Sequence, residues 1–331
     1  MLTALPRIGR RRALQAVAGL AGLGLLLWWL LPLGGPPSPS GRVTLATGVP
    51  TGVYARYGEL LRQDLREDLP DLDVRLTRSE GSVDNLRQLT SGRAQFAIAT
   101  ADAVAEYRRK GERGAQRLRA CARLYDDYIQ LVVPEDSPVH SAKGLARLRV
   151  GVGADGSGVQ LITRRLMEAA GLDFKRDITA VRVGIDRMPG MLERKELDAF
   201  VWSGGLPTSA VQQLARRTPV RLVQLADLIQ PLHKQGERSR YFRAAVMPAD
   251  AYPQVQHGQA VKTIAVANLL VTMDGEDAGL TEGITRTVIK SRDWIGREVH
   301  AAQKVDLRTA VFTDPLPLHE GARRYYQSEK P

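Results

Sequence analysis

The sequence predicts an α/β fold of two lobes, each a mainly parallel sheet flanked by helices, preceded by an N-terminal transmembrane helix. Three observations carry that prediction. Strand and helix patterns alternate from Arg42 to about Ala99 and again from Arg149 to Val223, the order that parallel pairing through helical crossovers requires. A turn of Thr, Ser and Gly residues recurs five times between a strand and a helix. An arginine cluster precedes a long apolar run near the N-terminus. A chain of 331 residues is long enough for two lobes with cores of their own.

Arg7, Arg10, Arg11 and Arg12 lead into Ala13–Leu33, in which Gln15 is the one polar side chain. That run is about the length that spans a bilayer, and the charge ahead of it places the N-terminus inside and the rest outside. No cysteine follows to carry a lipid, and Pro32–Pro37 is a poor cleavage site. An uncleaved signal-anchor is the expectation, with a cleaved export signal as the alternative. The protein would then be a single-pass plasma-membrane protein with its body extracytoplasmic, or periplasmic or secreted if cleaved. The organisation expected is a signal-anchor and linker over 1–40, the first part of lobe 1 over 41–133, lobe 2 over 134–244, and the return to lobe 1 with the C-terminal helices over 245–331.

Val43–Ala46 reads as a strand, followed by the turn Thr47–Tyr54 and a helix from Ala55 to about Glu67. Asp73–Thr77 is a strand, Ser79–Asn85 the second turn, and Asn85–Thr90 a helix. Phe96–Ala99 leads through Thr100-Ala101-Asp102 into a helix to Arg109. Leu118–Leu124 and Tyr128–Val133 read as two strands close together, the second ending at Pro134–Pro138, where the chain could pass between lobes. Strand Arg149–Val152, turn Gly153–Gly158 and helix Val159–Ala170 open the second unit. Ile178–Val183, a helix over Asp186–Lys195, strand Leu197–Trp202, turn Ser203–Thr208, helix Thr208–Arg216 and strand Val220–Val223 continue it. His233–Arg240 reads as a surface loop. Tyr241–Met247 and Val261–Thr272 are strand-like, Leu280–His300 is helical, and a last helix carries Arg323 to Tyr326.

Turns of this kind aim free backbone N–H groups, with the positive end of the helix dipole, at whatever lies in front of them. Five of them suggest a cleft lined by helix N-termini, suited to a small anion and to a carboxylate before a phosphate. Thr47, Gly48, Gly52 and Tyr54 read as the ligand floor. Gly81, Ser82 and Asn85, with Thr100 and Asp102, continue the first lobe's side. Ser157 and Gly158 read as the second lobe's grip on a carboxylate, and Trp202, Gly204 and Pro207 as the far wall. The competing reading of every one of these is a helix cap or a packed turn. No arginine is fixed at the turns, so the ligand's charge would be met by N–H and hydroxyl donors, each worth about 1–3 kcal/mol when charge-assisted.

Composition excludes several classes. Aromatics are 5% and the basic residues are dispersed, which argues against nucleic acid despite a net charge of +11. That surplus fits an anionic ligand, an anionic membrane face or an arginine-favouring genome. Cys121 is the one cysteine, so there is no disulfide framework or Cys-based metal site. His140 and His233 lie in polar surroundings, and His257, His300 and His319 lack metal-ligand spacing. Asp126 and Asp127 are adjacent in a strand, point to opposite faces and are not expected to share a proton. No nucleophile or acid–base pair stands out, and neither an enzyme, a metal nor a cofactor is expected.

Thr47-Gly48 with Gly52 and Tyr54, Glu80-Gly81-Ser82 with Asn85, Gly153 with Gly156-Ser157-Gly158, and Asp198-Ala199-Phe200 leading to Gly204-Gly205 and Pro207 resemble the TAXI-type solute-binding subunits of TRAP transporters. Tyr125, Asp136-Ser137 and Lys143-Gly144-Leu145 fit the same pattern, over roughly residues 42–300. The resemblance implies a periplasmic-binding-protein fold of type II closing on a small organic acid such as glutamate or 2-oxoglutarate. Delivery would be to a separate membrane permease driven by an ion gradient. Two features depart from it: Ala55 stands where a second aromatic is common, and the chain reads as anchored by a helix. The anchor keeps a second function open, a ligand sensor feeding a membrane kinase.

Overall fold

The computed structural model describes residues 38–299, 302 and 305–329. The expected transmembrane helix and signal-anchor, and His300, lie outside the described residues. Among the described residues no helix is long and apolar enough to cross a membrane.

One ten-stranded sheet organises the chain. Its first region is built by β1 (Gly41–Ala46), α1 (Val53–Asp68), β2 (Leu72–Thr77), α2 (Ser82–Thr90), β3 (Phe96–Thr100) and α3 (Ala101–Arg109). β4 (Leu118–Pro134) then runs for 17 residues. The second region comprises β5 (Arg149–Gly151), α4 (Gly158–Ala169), β6 (Thr179–Val181), α5 (Met188–Glu193), β7 (Ala199–Gly204), α6 (Ser209–Ala215) and β8 (Val220–Val223). After α7 (Ile229–Lys234) come β9 (Phe242–Met247), α8 (Pro253–Gln256) and the 13-residue β10 (Val261–Met273). The chain closes with α9 (Ala278–Lys290), α10 (Arg292–Ile295) and α11 (Glu320–Ser328).

The main path of the sheet is β2-β1-β3-β10-β4-β7-β5-β6. β1 pairs β2 and β3 in parallel, and β5 pairs β6 and β7 in parallel, as the crossover patterns require. Every pair involving β4 or β10 is antiparallel, so the sheet as a whole is mixed. These two strands belong to both regions. β4 pairs β10 over Leu118–Tyr128 and β7 over Tyr128–Val132, while β10 pairs β3 through Asn268–Val271 and β9 through Val261–Val266.

The two strands expected at Leu118–Leu124 and Tyr128–Val133 are therefore one. Tyr125-Asp126-Asp127 resembles a break because adjacent carboxylates are rare in a buried strand. Each is compensated on its own face of the sheet. Asp126 pairs with Arg123 at 2.9 Å and with Arg243, and Asp127 accepts from Asn268 and Ser203. The β4–β10 register slips between Ala267 and Leu269 and again between Leu270 and Val271, each time with an extra residue on β4. Such bulges bend and twist a strand, and they cluster beside functional clefts.

Both faces of each region are covered. In α1, Tyr57, Leu60, Leu61 and Leu65 form the apolar stripe of an amphipathic helix. They pack with Val43, Leu45, Ile284 of α9 and Tyr325 of α11 on one side of the first region, while Leu86, Leu89, Val104 and Leu269 fill the other side. In the second region, Ile162 and Leu166 of α4 join Val150 and Val201 on one face, and Leu192, Phe200, Val211 and Tyr252 fill the opposite one. β9 and the first half of β10 contribute Phe242, Met247, Val261 and Ile264 to these second-region cores. Part of the stretch read as the loop His233–Arg240 is ordered into the end of α7 and a 3-10 turn at Gly236–Arg238, packed through Leu232. Cys121 is buried, and burial pushes its thiol up.

Candidate functional site

In an open α/β sheet, ligands bind outside the carboxyl ends of the parallel strands. Here those ends all feed one partly open cavity of about 50 Å³. Gly48, Gly52 and Tyr54 reach it from the turn after β1, Gly81 and Ser82 from the turn after β2, and Thr100 from the end of β3. Gly153, Ser157 and Gly158 come from the turn after β5, and Trp202, Ser203 and Gly204 from the end of β7. All five turns singled out in the sequence thus converge. The first turns of α1, α2, α3 and α4 hold N–H groups with no carbonyl partner inside their own helix. The N-cap residues Gly52, Gly81 and Thr100 make no side-chain cap bond, whereas Ser157 Oγ accepts from the N–H of Gln160 at 3.1 Å.

The starts of α2 and α4 abut across the cavity. The N–H of Asp84 donates to the carbonyl of Gly156 at 3.0 Å. A Cβ on Gly158 would lie 2.9 Å from Ser82 Oγ, and one on Gly81 3.6 Å from the Gly158 nitrogen. Gly81 has φ +124 and ψ −154, a conformation essentially reserved for glycine. Two positive dipole ends in contact are relieved by a negative group between them. Farther along the same seam Arg165 of α4 pairs with Glu106 of α3 at 3.0 Å, with side chains only 6% and 12% exposed.

A chain of hydrogen bonds runs under the cavity. Thr100 donates from its N–H (3.1 Å) and its hydroxyl (3.4 Å) to Ser82 Oγ. Ser82 lies 3.0 Å from the Tyr54 hydroxyl, which in turn donates to Asn268 Oδ1 at 2.5 Å. Asn268 Nδ2 donates to Asp127 Oδ1 at 2.7 Å, and Ser203 Oγ donates to Asp127 Oδ2 at 3.3 Å. Asp127 lines the cavity and is 3% exposed. Burial pushes its carboxyl up to about 7, against the pull of the Asn268 and Ser203 bonds and with a further push from Asp126 and Asp102. Burial likewise raises Asp102 to about 6, opposed by the Thr100 hydroxyl and the charge of Arg165. Val49, Val53, Val159, Ile162 and Ile185 complete an apolar wall, and Glu80 stands exposed at the rim.

Ten of the fourteen residues expected at the site line this cavity; Thr47, Asn85, Asp102 and Pro207 do not. Thr47 and Asn85 brace the first turn from behind: Asn85 Nδ2 donates to the carbonyls of Thr47 and Ile98, and Thr47 Oγ1 donates to the carbonyl of Thr77. Asp102 is buried in the first turn of α3. Pro207 follows a cis peptide bond at the entrance to α6, and Trp202 is held by its Nε1 donating to Thr208 Oγ1 at 3.1 Å. Sequence reasoning assigned Asp126 and Asp127 to opposite faces but left Asp127 out of the site. Its signal was a carboxylate at an inward position of a largely buried strand, a residue almost never buried without a partner or a task. Gly184 and Ile185, in the turn after β6, carried no signal beyond a glycine.

The cavity's lining holds no Lys, Arg or His. Among the described residues no cluster of three or more His, Cys, Asp or Glu is placed to hold a metal ion.

The profile of the NMT1-like family matches residues 45–329. Solved structures similar to this chain include the periplasmic aliphatic sulphonate binding protein SsuA from Escherichia coli. It shows 14% identity, a TM-score of 0.50, and coverage of 89% of this chain and 84% of that one. The alkanesulfonate-binding protein SsuA from Xanthomonas axonopodis pv. citri, bound to MOPS, is similar at 13% identity and a TM-score of 0.51, covering 90% and 86%. A periplasmic transporter is similar at 14% identity and a TM-score of 0.54, covering 88% and 93%. At these identities the likeness establishes the fold: an α/β periplasmic-binding-protein-like architecture, with a mixed sheet and flanking helices.

Proposed function

From the premise that the chain belongs to the NMT1-like family, we propose that it is an extracytoplasmic solute-binding protein that captures a small organic acid and delivers it to a membrane permease. The finer form of the proposal is a TAXI-type subunit of a TRAP transporter, taking a dicarboxylate or an amino acid such as glutamate or 2-oxoglutarate. Two lobes would close on the solute, 41–133 with 245–331 against 134–244, flexing where β4 and β10 pass between them. The N-terminal segment would hold the protein at the outer face of the plasma membrane, or leave it periplasmic if cleaved. The solute would be bound and released without chemical change.

One observation supports this most: the starts of four helices, three of them without a side-chain cap, face a single cavity. A carboxylate there replaces its hydration shell with fixed N–H donors, each worth about 1–3 kcal/mol when charge-assisted. In this reading, the contacts across the seam, Asp84 to Gly156 and Arg165 to Glu106, would be those made on closure. A thermal-shift screen of amino, keto and dicarboxylic acids on the full chain in mild detergent tests the reading, with calorimetry on the hits. A binder should raise the melting temperature, shrink the radius seen by small-angle scattering, and be recovered unchanged. No shift from any small acid, or turnover of the bound one, would refute it.

A further inference from the structure

The cavity's charges are of the wrong sign for a plain dianion. Its floor carries the Asp127 carboxylate, its rim carries Glu80, and no cationic side chain lines it. Helix N-termini can hold one carboxylate of a ligand. A second anionic group pressed against Asp127 would be buried beside a like charge with no compensating cation, among the costliest arrangements in a protein interior. Asp127 is also not consumed by its present partners. Oδ1 accepts one bond, from Asn268, and Oδ2 accepts one long bond of 3.3 Å, from Ser203. A carboxylate oxygen has two acceptor positions, so each keeps capacity toward the cavity.

Resting on the reading of this cavity as an organic-acid site, we infer that Asp127 receives a cationic nitrogen of the ligand, so that the solute is an acid that also carries an amino group, and that amine-free acids are discriminated against. The ligand would span the cavity, its carboxylate at the abutting starts of α2 and α4 and its ammonium on Asp127. The hydrogen-bonded chain Ser82–Tyr54–Asn268–Asp127 links those two ends. Bound this way, the zwitterion adds no net charge to the cavity, and Asp127 gains a counter-ion.

The charged and titratable groups that face Asp127 are few. Asp126 beside it on β4 is neutralised by Arg123 and Arg243, Asp102 stands at the start of α3 near Arg165, and the phenols of Tyr54 and Tyr125 lie close by. With its carboxyl pushed up to about 7 by burial, Asp127 is partly protonated near neutral pH. An arriving ammonium lowers that protonation, so binding should release protons; an amine-free acid would instead draw protons in.

The experiment is calorimetry on the full chain in detergent at pH 7, in two buffers of different ionisation enthalpy, with matched pairs: glutamate against 2-oxoglutarate, and alanine against pyruvate. In any pair that binds, the amine-bearing member should be at least about tenfold tighter, with net proton release. Asp127→Asn should erase most of that preference and the proton release. The wild-type comparison needs no variant, so it stands even if Asp127→Asn fails to fold. Equal or tighter binding of the amine-free member, or net proton uptake with the amine-bearing one, would overturn the inference while leaving an organic-acid receptor intact. Failure of every member to bind would overturn both.

Discussion

The two sides of the cavity are built from the same kind of turn but spend it differently. On the first side, α1, α2 and α3 begin at Gly52, Gly81 and Thr100 without a side-chain cap, and their hydroxyls join a network that ends on Asp127. On the second side, α4 is capped by its own Ser157, and Val159, Ile162, Ile185 and Trp202 face the gap. Both sides present first-turn N–H groups, but the first adds a hydroxyl network and the second adds mostly apolar cover and a close approach at Gly158. Similar turns in a sequence therefore need not share a role. Ser82 spends its one proton on Tyr54 within the network, whereas Ser157 accepts from its own helix at Gln160.

The comparison breaks most severely at Gly158, where the two sides touch. Gly158→Leu should hold them apart, since even a Cβ would fall 2.9 Å from Ser82 Oγ. We expect affinity to fall by about a hundredfold or more. Scattering should show no contraction on adding ligand. Tyr54→Phe removes the middle of the network and leaves the Asn268 carbonyl buried without a donor. It should cost about 1–3 kcal/mol of stability by chemical denaturation and roughly tenfold in affinity.

The pH dependence sharpens the same contrast. Asp127 is raised in the folded chain, from 3.8 to about 7, so the folded state holds its proton after the unfolded chain has lost it. The sign follows: stability from this group is fully present below about pH 4, declines as pH rises toward 7, and changes little above that. Asp127→Asn should flatten that part of the melting-temperature profile. The smallest effect belongs to the second side. Ser157→Ala should cost about 1 kcal/mol of stability as a lost cap, with little change in affinity. The double variant with Ser82→Ala, which also removes the Ser82 bond to Tyr54, should lose at least about tenfold in affinity.

Most of this architecture was legible in the sequence because it is written in short-range signals. Period-two and period-3.6 patterns marked the strands and helices, and glycine beside Thr or Ser marked the turns at the strand ends. What was not legible depends on partners far along the chain. Asp126-Asp127 resembled a strand break because Arg243, Ser203 and Asn268, which compensate the pair, lie 76 or more residues away. Thr47 and Asn85 have the chemistry of ligand donors, but they serve the turn's own backbone, and only packing separates the two uses. The apolar wall from Ile162 and Ile185 looks, in sequence, like any core residue.

The measurement that bears most directly on the account is a crystal structure of the chain with a small acid found by thermal shift. The account predicts its carboxylate within about 3 Å of first-turn N–H groups of α2 and α4, with the two sides in contact as they are here. A ligand held instead by lysine or arginine side chains, or seated outside this cavity, would contradict it.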